Sequence, residues 1–166
     1  MIQAQLLTIA VYCLIAWWYV VSGLNKLPRA QALTAILWIH VFRYCVLYIF
    51  VARREGYAIS DVALTELVAG DLIGALLAMV AIVLFRLRSA LGLVGTWLVV
   101  IATVADFVIG FYTRHIEPPR GDAVGPWWLI FVYFAPAVLV SLPLLVWQLV
   151  SRRREPLTAQ ALTAEA

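Results

Sequence analysis

Five long apolar stretches run along the chain, at roughly residues 4–24, 32–52, 62–85, 90–112 and 127–150, each close to the ~20 residues that a helix needs to cross a bilayer. Short polar clusters separate them. The first stretch closes at Asn25-Lys26-Leu27-Pro28-Arg29, with Pro28 as a helix stopper, and the second at Arg53-Arg54-Glu55-Gly56. Ser60-Asp61 then supplies an N-cap and a negative charge at the start of the third helix. Arg86-Leu87-Arg88 ends the third stretch, and a polar connection from Thr113 to Pro126 follows the fourth. Apolar and polar residues do not alternate, and the runs are too long for barrel strands, so the pattern predicts an all-α bundle of five transmembrane helices. The five helices occupy residues 1–150. Residues 151–166 form a basic tail with too little apolar content to fold alone, read as cytoplasmic and disordered.

Four ionisable residues interrupt this pattern from within. His40 and Arg43 fall near the middle of the second stretch, Asp71 within the third and Asp106 within the fourth. A charge in hydrocarbon is costly and is rarely left unpaired. Depth estimated at about 1.5 Å per residue puts Arg43 close to the midplane, with Asp71 and Asp106 offset by distances an arginine side chain can bridge. His40 is three residues from Arg43 and shares its helical face. Gly70 and Gly74 flank Asp71, and Ala78 extends the track; Asp106 lies on a track with Ala102 and Gly110. Small residues at this spacing predict close helix contact, within the chain or between chains. Glu66, near the end of its stretch, reads as reaching water.

Three readings follow from this cluster. In the first it is a structural latch, as in an accessory membrane subunit, with Arg43 neutralised by an aspartate and His40 as a hydrogen-bonding companion. In the second it is a mid-membrane site for a ligand, a proton or an ion. Arg43 then holds an anionic group, or Asp71 carries a proton. In the third, His40 and an aspartate perform acid–base chemistry on a lipid-soluble substrate. The second reading is preferred because intramembrane ionisable groups mark functional sites by default. The expected function is non-enzymatic, with no cofactor.

Composition agrees with the hydropathy pattern. Of the 166 residues 65% are hydrophobic and 13% charged, against about 45–50% and 25% in soluble domains. Net charge is +3, but the basic residues sit in short clusters between stretches and form no stripe with interleaved aromatics, which argues against nucleic acid as a partner. The expected partners are the lipid bilayer, a small-molecule or lipid ligand, and a second copy or another membrane protein. Lys26, Arg29, Arg86, Arg88 and Arg152 to Arg154 fall on one side of the membrane; Arg53, Arg54, Arg114 and Arg120 fall on the other. The positive-inside rule places the first group in the cytoplasm, with the amino terminus outside and the carboxyl terminus inside. The uncharged start, Met1 to Gln5, lacks the basic region of a cleavable signal, so the first stretch reads as a retained span. Cys13 and Cys45 lie inside spans and form no disulfide framework or zinc motif.

Other signals are weak. His115-x-Glu117 is a poor metal site, and Arg120-Gly121-Asp122 matches an adhesion tripeptide by chance. His40 and His115 lie at different depths and cannot ligate one haem together, although a single axial ligand stays open. Pro136 and Pro143 predict a kinked fifth helix. No phosphate-binding loop or nucleophile elbow is present. The strings Trp38-Ile39-His40-Val41-Phe42-Arg43-Tyr44 and Gly70-Asp71-Leu72-Ile73-Gly74-Ala75, with Ser60-Asp61 ahead of the second, resemble segments of a group of small, uncharacterised bacterial membrane proteins. The resemblance implies a multi-pass protein of a bacterial cytoplasmic membrane, and it carries no activity to transfer.

Overall fold

The computed structural model describes residues 2–116 and 126–157. Five helices, each long and apolar enough to cross a membrane, make up the described residues: α1 (Gln3–Asn25), α2 (Arg29–Arg54), α3 (Asp61–Arg86), α4 (Leu91–Ile116) and α5 (Trp127–Ser151). They alternate in direction. One end of the bundle carries the α2–α3 turn with Tyr57, and the other carries Arg29 and Arg152. The pair α3–α4 shares the most extensive interface, α2 packs against α3 and α5, and α1 packs mainly on α5.

Helix boundaries follow local chemistry. Ser60 has extended backbone and its Oγ accepts the N–H of Ala63 at 3.1 Å, capping α3 as its sequence predicts. Pro28, read as a stopper for α1, stands as the N-cap of α2. The last carbonyls of α1 and α5 have no partner within their own helices. Arg152 donates to Leu24 O and Leu27 O, while Arg29 donates to Leu149 O at 2.9 Å. Cations at helix C-termini also oppose the helix dipole. Residues 152–157, which the sequence assigns to the tail, turn back onto this end, where Ala30 N–H donates to Leu157 O. Here Arg152 hydrogen-bonds Glu155 and holds its carboxyl below the usual carboxylate range. Helix α4 extends through residues read as connection. Glu117, Pro118, Pro119, the Arg120-Gly121-Asp122 tripeptide and residues 158–166 lie outside the described residues, as does the side chain of His115.

Three of the described helices change their winding partway; in α1, Ala16–Val20 forms a π turn. In α5, Ile130–Phe134 forms a π turn just ahead of Pro136. A proline ring collides with the carbonyl four residues before it, and the wider turn relieves that contact. In π register the partner of the Phe131 carbonyl would be the N–H of residue 136, which proline lacks. Gln5 Nε2 donates to that carbonyl at 3.0 Å and ties α1 to α5. In α2, Phe42–Tyr48 is 3₁₀. Before it, buried positions follow the α period: Ala32, Leu33, Ile36, Leu37, His40 and Val41. From Arg43 onward they recur every third residue, at Arg43, Val46, Ile49 and Ala52. A helix with three residues per turn stacks such positions in one row, so the change of winding keeps a single face of α2 buried.

The buried apolar residues divide into two clusters. One, toward the Arg152 end, gathers Leu33, Leu37, Ala78, Ala81, Val99 and Leu145. The other, toward the Tyr57 end, gathers Val46, Ile49, Leu64, Trp127 and Phe131. A polar layer lies between them.

Candidate functional site

That polar layer brings together all four residues singled out from the sequence. Arg43, at the first turn of the 3₁₀ segment, is 1% exposed. Its Nε donates to Asp71 Oδ1 at 2.7 Å, its Nη1 to Thr103 Oγ1 at 2.8 Å, and its Nη2 to both Asp106 Oδ2 at 2.5 Å and Gly70 O at 3.4 Å. A guanidinium has five N–H donors, and these bonds occupy four of them. Both expected ion pairs therefore form, and they share one cation. Asp71 and Asp106 keep 22% and 18% of their side-chain surface exposed, so the carboxylates, and not the guanidinium, present the open face of the cluster.

His40 sits behind this group and is fully buried. Its Nδ1 lies 3.4 Å from Thr103 Oγ1 and its Nε2 lies 3.1 Å from Ser141 Oγ. The Ser141 hydroxyl gives its proton to Val138 O at 2.8 Å, so the imidazole donates from Nε2 to Ser141. Thr103 accepts from Arg43 and gives its own proton to Nδ1. One assignment uses every proton once and leaves the ring neutral. Both nitrogens are thus engaged within the protein, which removes the axial haem ligand that the sequence left open. Thr103 and Ser141 were not singled out in the sequence. Thr103 falls one helical turn before Asp106, which is the signal that would have found it.

The glycines beside Asp71 have a different use from the one their spacing suggests. A Cβ on Gly74 would overlap the Arg43 guanidinium, and a Cβ on Gly70 would overlap the Asp106 carboxylate. They make room for the charged side chains; a close helix contact lies further along, where a Cβ added to Gly95 of α4 would come within 3.0 Å of the Ala81 Cβ of α3. Gly110 has open space beside it, not a neighbouring helix.

That space belongs to a cavity of about 830 Å³ in the half of the bundle toward the Tyr57 end. Residues of α1, α3, α4 and α5 line it, with Arg43 of α2 and the α2–α3 turn. Its walls are largely apolar, with Ile9, Phe107, Phe131, Phe134 and Leu139, and Arg43, Asp71 and Asp106 border it at mid-depth. Glu66 also lines the cavity and accepts a hydrogen bond from Thr113 at 2.5 Å; it is exposed, consistent with its position near the helix end. His40 is not part of the lining. Direct acid–base work by His40 on a molecule in the cavity therefore has no geometric footing. Among the described residues, no group of three or more His, Cys, Asp or Glu side chains is placed to hold a metal ion.

A family model described as a domain of unknown function, DUF8737, matches residues 1–150. That description names no activity, and it gives no support to the expected likeness to bacterial membrane proteins. No curated protein and no solved structure matches the chain.

Proposed function

We propose that this chain, which belongs to the DUF8737 family, is a multi-pass membrane protein that binds a small amphiphilic ligand within its helical bundle. The observation that carries the reading is the cavity itself: its volume suits a small molecule, its walls are apolar and aromatic, and a few polar groups converge at one place in it. The ligand's apolar body lies along the phenylalanine side chains, and its polar head meets the carboxylates of Asp71 and Asp106. Arg43 is nearly spent on protein acceptors, so it organises the carboxylates and does not hold an anionic group. The latch reading is thereby folded into the site. The guanidinium fixes α2 against α3 and α4, and the acids do the binding.

The count of basic residues supports an orientation with the amino terminus outside and the carboxyl terminus in the cytoplasm. The sequence resemblance supports a bacterial cytoplasmic membrane. Native mass spectrometry of the protein released from its own membrane in mild detergent tests the reading. The expected result is a discrete small-molecule or lipid adduct on the wild-type chain that is missing from Gly110→Leu, whose new side chain fills the cavity. A folded wild-type protein with no adduct, or one whose adduct Gly110→Leu leaves in place, overturns it.

A further inference from the structure

The cavity's charges select among ligands. Its charged lining residues are Arg43 from α2, Glu66 and Asp71 from α3, and Asp106 from α4, so one guanidinium faces three carboxylates. The linings from α1 and α5 contribute no charged side chain among the described residues; Gln5 is their polar member and is bonded to Phe131 O. Of the other titratable groups nearby, Tyr57 lines the cavity from the α2–α3 turn, Cys45 of α2 lies close enough to Asp71 to feel its charge, and His40 stands behind Thr103 and is neutral by the hydrogen-bond pattern above. Arg43 balances one of the two aspartates it touches. The charge of the second lies mid-depth beside apolar walls, where low dielectric makes it costly unless something of opposite sign meets it. An anionic head would face the carboxylates and find one guanidinium N–H left. A hard metal cation needs six or more oxygen ligands or waters, and phenylalanine walls offer none. Aromatic faces do attract cations whose charge is spread over apolar groups.

Resting on the ligand-binding reading above, we infer that the occupant is an organic cation. Its positive centre is an amine, quaternary ammonium or similar group bearing apolar substituents. It sits between the Asp71 and Asp106 carboxylates and the rings of Phe107, Phe131 and Phe134. The cation and a proton compete for the same carboxylate charge, so that binding one releases the other to water. No covalent bond changes.

The test uses the full chain reconstituted in nanodiscs of uncharged phosphatidylcholine, with tetraphenylphosphonium and tetraphenylborate as probes, two ions of matched size and opposite charge. Tetraphenylphosphonium is expected to bind at one per chain above empty discs. Its affinity should fall as the pH is lowered from about 8 to about 5, approaching about tenfold per pH unit where one proton competes. Tetraphenylborate should show no binding beyond empty discs. Asp106→Asn should weaken tetraphenylphosphonium by about tenfold or more and flatten its pH dependence, with Asp71→Asn as the parallel variant. The wild-type pH series needs no variant, so a misfolded mutant leaves the proposal open to refutation. Tetraphenylborate binding as tightly as the cation, or cation binding that ignores pH, overturns it. If neither ion binds while the native mass spectrum shows an adduct that Gly110→Leu removes, the cavity reading stands and the cation assignment falls. If the adduct is also missing, both fall.

Discussion

Arg43 is tolerable in the interior because its partners arrive from two other helices, and each partner depends on it in turn. Arg43→Leu strands two carboxylates, so we expect a loss of about 3–5 kcal/mol in the stability of the detergent-solubilised protein, read by thermal unfolding. Replacing Arg43, Asp71 and Asp106 together by leucine removes every uncompensated charge and should recover most of that loss. If the triple variant is less stable than Arg43→Leu alone, the ion group contributes more than charge balance. Gly74→Ala forces the guanidinium off its bonds and should cost about 1–3 kcal/mol, the range of an overpacked core, although alanine is the better helix former. The charged members of the site were legible in the sequence because a charge in an apolar stretch has no other explanation. The hydroxyls were not. Thr8 and Thr96 bond the carbonyls four residues back, as such side chains commonly do in helices, and Thr103 differs from them in the sequence by its place one turn before Asp106. The use of Gly70 and Gly74 was misread for a related reason: spacing reports a small surface and does not report what fills it.

At the scale of the helix, hydropathy and capping residues placed all five spans to within a few residues, since length and polar punctuation decide where a membrane helix can begin and end. The winding inside the helices was hidden. Phe42–Tyr48 contains no proline or glycine, and the cause of its 3₁₀ form lies in what Arg43, Val46 and Ile49 meet on other elements. The π turn of α5 is half legible, because Pro136 announces a disturbance while one partner of the turn, Gln5, lies more than a hundred residues away. Gln5→Ala removes a single hydrogen bond worth about 1 kcal/mol. We expect faster amide exchange through α1 in that variant with α3 and α4 unchanged; uniform acceleration across the bundle would show that α1 is not held separately through this bond. Ser60→Ala should cost about 1 kcal/mol of unfolding free energy, confined to the first turn of α3 in hydrogen exchange.

The described residues form two apolar cores separated by a charged layer, with the cavity that the charged cluster borders lying on the Tyr57 side of that layer. On the proposed reading, binding and stability are therefore separable in space, and Gly110→Leu exploits this. It should abolish ligand binding while leaving the melting temperature equal or higher, because a leucine replaces glycine in a helix interior beside empty space. A melting temperature that falls would mean that the cavity is narrower than its volume suggests. Oligomeric state has one constraint from this architecture: the Gly70 and Gly74 face is filled from within the chain and is not free to pair with a second copy. Helices α2, α3 and α5 each contribute to both cores, and α2 changes winding as it passes the layer between them. A 3₁₀ turn advances about 2.0 Å and rotates about 120° per residue, against about 1.5 Å and 100° in an α-helix. Rewinding the seven residues Phe42–Tyr48 would shorten α2 by about 3.5 Å and twist Ile49–Arg54 by about 140° relative to its first half. The two cores are thus geared to one another through a two-pitch screw, and the ion group sits on the thread where the pitch changes.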